Sequence, residues 1–318
     1  MHKQWRLVLG SAVGALLALS APLAASAGGG NGTHYLGTVH AAKPGGGSGS
    51  SNLNYHGGTG GIGVETKPAV YIVYWGSQWN NNDPSGEASI QQNFFKGIGG
   101  TSWNASVTQY CQNVPTGTTN CATVASAVFG GNPSGLLAGV WSDNAAAAPS
   151  RPSQNQLAGE AIAAAAHFGN TAANSNSTTQ YIISTATHNN SSGFGTRYCA
   201  WHSSTSSSYG NVAYTNFPYI TDAGTNCGAN FVNSGSAGLT DGITIVGGHE
   251  FAETETDQFP NGGWLDGSGK ENGDKCAWIS SGQGAAVDIT ISTGTFPVQS
   301  LWSNAFNSNA GGCVITYP

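Results

Sequence analysis

Two periods organise the apolar positions of the chain. Residues 69–75 form an apolar run rich in β-branched and aromatic side chains after Pro68, which predicts a strand. After a turn at Asp83-Pro84-Ser85-Gly86, the apolar Ile90, Phe94, Phe95 and Ile98 recur at helical spacing over 88–98. Ser153 with Gln156 reads as a capping box opening an Ala-rich helix that runs to Phe168 and ends at Gly169-Asn170. A second strand is predicted at 180–186. Residues 191–238 have no sustained period and read as loop, and 241–246 lead into a helix at about 243–257. Gly247 and Gly248 would let that helix approach a sheet closely. Residues 287–291 and 298–302 read as terminal strands. Strand, helix and strand in this order predict an α+β fold, a mixed sheet backed by helices.

The two ends of the pattern set the domain organisation. Charged residues near the start, an apolar run from Leu7 to Leu19 and Ala25-Ser26-Ala27 read as an export leader over 1–27. Residues 28–52 are Gly- and Ser-rich, with almost nothing to bury, and read as a linker or propeptide remnant in which His34 and His40 are solvated. A single domain is then expected over 53–318. No later stretch is long and apolar enough for a membrane helix. Loss of Lys3 and Arg6 with the leader would take the formal charge from -6 to -8, which argues against a nucleic-acid partner.

Six cysteines in an exported chain predict three disulfides. Proximity in sequence pairs Cys111 with Cys121, Cys199 with Cys227 and Cys276 with Cys313, the last tying back the C-terminal strands.

Charge is scarce, and where it gathers is informative. Of 15 acidic residues, seven lie between positions 249 and 274. On a helix His249 and Glu253 share a face, with Glu250 about 100° round. That is the spacing of an H-E-x-x-H zinc helix with glutamate in place of the second histidine. Glu271 stands where one class of zinc peptidase places its third ligand, about twenty residues on. The expected metal ligands are therefore His249, Glu253 and Glu271, with Glu250 as general base and Asp257 and Asp274 supporting the ligands from outside. Asp257 and Asp274 remain alternatives for the third ligand. Glu255 and Asp266 read as solvated carboxylates, and His56, His188 and His202 as ordinary histidines. A G-x-S-x-G elbow and a P-loop are absent from the sequence, and no predicted strand-to-helix turn carries a dinucleotide fingerprint.

The run His249-Glu250-Phe251-Ala252-Glu253 through Thr256-Asp257, followed by Glu271-Asn272-Gly273-Asp274, resembles the thermolysin-type helix and its downstream glutamate. Over roughly 53–276 the chain resembles the secreted phosphate-induced, EXORDIUM-like family. The matching pieces are Tyr55-His56-Gly57-Gly58, Tyr74-Trp75-Gly76, the cysteine loop from Gly193 to His202, and Asp241-Gly242-Ile243 before the helix. This resemblance implies an extracellular or wall-associated protein with a zincin-like domain.

The expected function is a secreted zinc peptidase that hydrolyses peptide bonds through metal-activated water, with a peptide or protein substrate. The alternative is a non-catalytic protein bound to cell-wall glycan, its acidic cluster structural or holding calcium.

Overall fold

The computed structural model describes residues 32–39 and 52–317. The expected leader, residues 40–51 of the expected linker, and His40 lie outside them. A six-stranded mixed sheet is formed by β1 (Thr33–Gly37), β2 (Ala69–Trp75), β3 (Leu137–Asp143), β4 (Thr179–Thr185), β5 (Tyr198–Ser207) and β6 (Gly210–Phe217). Its order is β1-β5-β6-β4-β2-β3. β2 runs parallel to β3 and β4, and β4 parallel to β6; β5 is antiparallel to β6 and to β1.

Helices cover both faces, and the sheet's alternation divides the core between them. Val70, Ile72 and Tyr74 pack with Phe94, Phe95 and Ile98 of α1 (Glu87–Gly97) and with Ile243, Val246 and Phe251 of α3 (Asp241–Thr256). Val73, Tyr181 and Ile183 face the other way, onto Leu157, Ala161, Ala164 and Ala165 of α2 (Gln154–His167). Burial of each large apolar side chain contributes roughly 1.5–3 kcal/mol. The expected capping box of α2 is present in both arms, Gln156 N–H donating to Ser153 Oγ and Ser153 N–H to Gln156 Oε1. At α1 the orphan amides of Glu87 and Ala88 are taken instead by the Asp83 carboxylate.

Three sequence expectations change. Residues 191–238 are not all loop: β5 and β6 make a hairpin with Ser207 opposite Gly210. Its outer half is a run of serine and threonine, so hydrophobic alternation was absent where the strand leaves the core. Residues 33–37, expected in the linker, pair with β5 along the sheet edge, Thr-His-Tyr-Leu-Gly alternating inward and outward. The predicted terminal strand at 298–302 is interrupted. β7 (Val287–Ile291) pairs with β8 (Gly294–Val298), and β9 (Leu301–Ser303) with β10 (Gly312–Val314). Gln299 and Ser300 fall in the break.

The three disulfides join Cys111 to Cys121, Cys199 to Cys227 and Cys276 to Cys313, with Cα separations of 6.1, 5.4 and 5.7 Å. Among the described residues no helix is long and apolar enough to cross a membrane.

Candidate metal centre

α3 carries the acidic motif, and every one of its 16 residues is buried. Its polar stripe is therefore not a wet face: it looks into the protein, toward β5 and β1. Close packing makes this possible. A Cβ on Gly248 would stand 3.2 Å from Trp103 and 3.3 Å from Phe94, so only glycine lets the helix settle there undisturbed. One turn apart, His249 Nε2 and Glu253 Oε1 lie 3.0 Å from each other.

The chain leaves α3 through a tight turn organised by Asp257, whose carboxylate accepts the backbone N–H groups of Asn261, Gly262 and Gly263. Asp257 thus shapes the turn and makes no hydrogen bond to His249. The returning segment is pinned to α3 where Asn272 Nδ2 donates to Ala252 O at 3.0 Å, and to β9 where Trp302 N–H donates to Asn272 O. Cys276–Cys313 fixes its far end. Asp274 N–H then donates to Glu253 Oε1 at 2.7 Å, and Asp274 Oδ1 stands 4.0 Å from His249 Nε2. Gly273 is required by space: a Cβ there would lie 2.8 Å from His249 Nδ1 and 2.9 Å from Glu253 Oε1.

Gln299, delivered by the break after β8, sets the tautomer of His249. Its Nε2 donates to Gly273 O and Ser300 O, so its Oε1 is left to accept from His249 Nδ1 at 3.1 Å. With Nδ1 occupied as a donor, Nε2 presents its lone pair toward Glu253 and Asp274 whenever the ring is neutral.

Strand alternation brings in two further histidines. On β5, Ala200 belongs to the α3 side of the core and Trp201 to the α2 side, so His202 returns to α3. On β1, Leu36 packs on the α3 side and His34 lies two residues before it. The two are cross-strand partners with rings stacked at 5.6 Å. His202 Nδ1 stands 3.2 Å from Glu250 Oε2 and 3.6 Å from Glu253 Oε2, and its Nε2 stands 3.5 Å from Glu271 Oε1. His34 Nδ1 lies 2.8 Å from Glu271 Oε2.

Three groups of donors result, each with its atoms within 4.8 Å of one another: His249, Glu253, Asp274; His202, Glu250, Glu253; and His34, Glu271, Asp274. All are buried except Asp274, whose side chain is 24 % exposed, and His34 at 11 %. Buried His249 Nε2, Glu253 Oε2, His202 Nε2 and Glu250 Oε1 make no directed hydrogen bond. Donors about 2.1 Å from a common tetrahedral ion lie roughly 3.4 Å apart, and the 3.0 and 4.0 Å spacings about His249 bracket that value. Nitrogen and oxygen donors of this kind fit a divalent cation.

Electrostatics point the same way. Burial alone would lower the histidine pKa values, but Glu253 raises His249 to about 10 and Glu271 raises His34 to about 9; Glu271 also lifts His202 well above its usual range. Burial drives Glu253 well up despite His249 beside it. For Glu271, burial is outweighed by His202 and His34, which hold it below the usual range. The pocket demands positive charge.

The structure places His249 and Glu253 one turn apart on one face of α3, as the spacing predicts, and Glu250 beside them toward His202, but the third member of the His249 group is Asp274. Glu271 joins through Asp274, beside His34 and His202. Sequence reasoning passed over His34 and His202; the in–out alternation of Thr33 to Gly37 was the available sign for the first. Glu255 and Asp266 are not solvated either. Glu255 is buried against Asn104 Nδ2 at 3.2 Å, and Asp266 is buried and paired with Lys275 at 3.1 Å. His56 and His188 are exposed, as ordinary surface histidines.

Comparison with family models, curated proteins and solved structures returned no match.

Proposed function

We propose that the chain is a secreted, zincin-like metal-dependent peptidase, its cation held by His249, Glu253 and Asp274. The observation that carries this reading is the convergence of those three donors, with Gln299 turning the His249 lone pair toward the other two. The H-E-x-x-E spacing on a helix packed against a mixed sheet supports the zincin-like reading. The disulfides and the absence of a membrane-spanning helix among the described residues support an extracellular location. Membership of the EXORDIUM-like family rests on the short matching segments alone.

A divalent cation at this position, with zinc the best fit to the donor set, supplies Lewis acidity toward a carbonyl oxygen. The chain's own residues do the rest. Glu250, next to His249 on the helix, has one oxygen free of hydrogen bonds and the other beside His202 Nδ1, so it can take a proton and pass it on. His202 steadies the carboxylate while it is charged. Gln299 and the Asp274 N–H hold the two α3 ligands in place.

Burial of the whole cluster favours one other reading, a cation with a purely structural role in a non-catalytic wall protein. Metal analysis and proteolysis of an unfolded protein substrate separate the two. A peptidase retains zinc in both wild type and Glu250→Gln, and cleaves only as wild type. Zinc without cleavage in either leaves the structural reading. Wild type without bound metal sinks both.

A further inference from the structure

We infer that the cluster holds two divalent cations, the second bound by His34, Glu271 and Asp274, with Asp274 shared between the two positions. The inference rests on the cation reading of the His249 group, but on different residues.

Geometry is the first support. His34 Nδ1, a Glu271 oxygen and an Asp274 oxygen lie within 4.8 Å of one another, and Asp274 is also in the His249 group. One short carboxylate thus faces both positions, as a bridging ligand must. The second support is an unpartnered donor. His202 is completely buried, its Nε2 has no hydrogen bond, and it points at Glu271 Oε1 from 3.5 Å. Both oxygens of the fully buried Glu271 likewise lack a directed hydrogen bond, although imidazole nitrogens stand at 2.8 and 3.5 Å. The His34 nitrogen, close to Glu271 but off the hydrogen-bonding direction, is arranged as its co-ligand on a common centre, with His202 standing behind the other Glu271 oxygen.

Charge is the third. With Glu250, Glu253, Glu271 and Asp274 all ionised, as ligation requires of the last three, the cluster holds four negative charges, and one divalent ion cancels half of them. A second ion cancels the rest with all three histidines neutral, the form in which His34 and His249 can ligate. Glu250 remains beside His202, free for its proposed role, because neither position uses it. The second position also has a structural consequence. β1 is an edge strand held by one ladder, and a cation on His34 fastens it to the segment that follows α3.

The test is metal stoichiometry on the full chain as secreted, loaded with Zn2+, dialysed and analysed by plasma mass spectrometry, with folding checked by circular dichroism. The expected result is two zinc ions per wild-type chain and one in each of His34→Ala and His249→Ala. Should His34→Ala not fold, His34→Gln takes its place, since the side chain lies at the sheet edge and tolerates a polar replacement of similar reach. A single zinc in wild type that survives His34→Ala and is lost in His249→Ala overturns the second position and leaves the first. Two ions retained in a folded His34 variant also overturn it. No zinc in wild type removes both positions together.

Discussion

Glu65 offers the sharpest test of how the fold manages buried charge. Its side chain is fully buried; Gln180 Nε2 donates to one oxygen at 2.9 Å, and the other has no partner. Burial pushes the carboxyl from an ordinary 4.5 up to about 8, against the opposing Gln180 hydrogen bond. The folded chain therefore keeps Glu65 protonated at neutral pH, while the unfolded chain ionises it. Stability from this group is complete below pH 4.5. It falls as pH rises, because unfolding then releases a proton, and the loss levels off above about 8. At about 1.4 kcal/mol per pH unit the full span corresponds to ~5 kcal/mol, and the interval from about pH 5 to about pH 8 to ~4 kcal/mol. Glu65→Gln keeps the shape and the contact to Gln180 but removes the titration. Urea unfolding at the two pH values should show wild type losing several kcal/mol more than the variant. Glu87 and Glu160, each also raised to about 8 by burial, contribute the same slope to both proteins and cancel in the difference. Equal pH slopes in wild type and Glu65→Gln would refute the reasoning.

Two further substitutions test the site and its packing. Gln299→Leu leaves the His249 ring without its Nδ1 partner, and zinc affinity measured against a competing chelator should fall by about 10–100-fold; unchanged affinity would dispose of the tautomer argument. Gly248→Ala gains about 1 kcal/mol of helix propensity but forces a Cβ to 3.2 Å from Trp103, so urea unfolding should show a net loss on the order of 1 kcal/mol. Gly247→Ala, whose Cβ would meet Phe217 at an ordinary 3.5 Å, should be neutral or stabilising, and the reverse order of the pair would contradict the packing.

What the sequence disclosed was whatever local chemistry determines. The capping box at Ser153, the apolar run before Trp75 and the i, i+4 pair His249 and Glu253 are each specified within a few residues, and each is where it was expected. The third donor of the His249 group was not local. Glu271 and Asp274 are three residues apart, and which of them faces His249 is set by the Asp257 turn, the Asn272 clamp and the Cys276–Cys313 bridge. His202 sits on a strand whose serine-rich outer half hid its period. His34 was masked by the glycine around it: a five-residue edge strand within a polar tract resembles linker until its partner strand is known.

The composition takes on a different meaning once burial is known. Ten of the 15 acidic residues are buried, the reverse of the usual distribution. The chain's low charge is thus a property of its surface, while carboxylates are retained inside, and each must be offset. Glu65, Glu87, Glu160 and Glu255 are offset by protons. Asp241 and Asp257 accept backbone N–H groups. Asp266, which burial would push up, is held down to about 2 by Ser268, the Lys270 N–H and Lys275. Only between α3, β5 and β1 do these devices fall short: the Asp274 N–H reaches one Glu253 oxygen, while the other Glu253 oxygen, Glu250 Oε1 and both Glu271 oxygens make no directed hydrogen bond. There three imidazoles face Glu250, Glu253, Glu271 and Asp274, and with all four carboxylates ionised even three protonated rings leave one negative charge over. A cation resolves that excess without requiring histidines to be charged in the interior, which is why the cluster is read as a metal centre and the other buried acids are not.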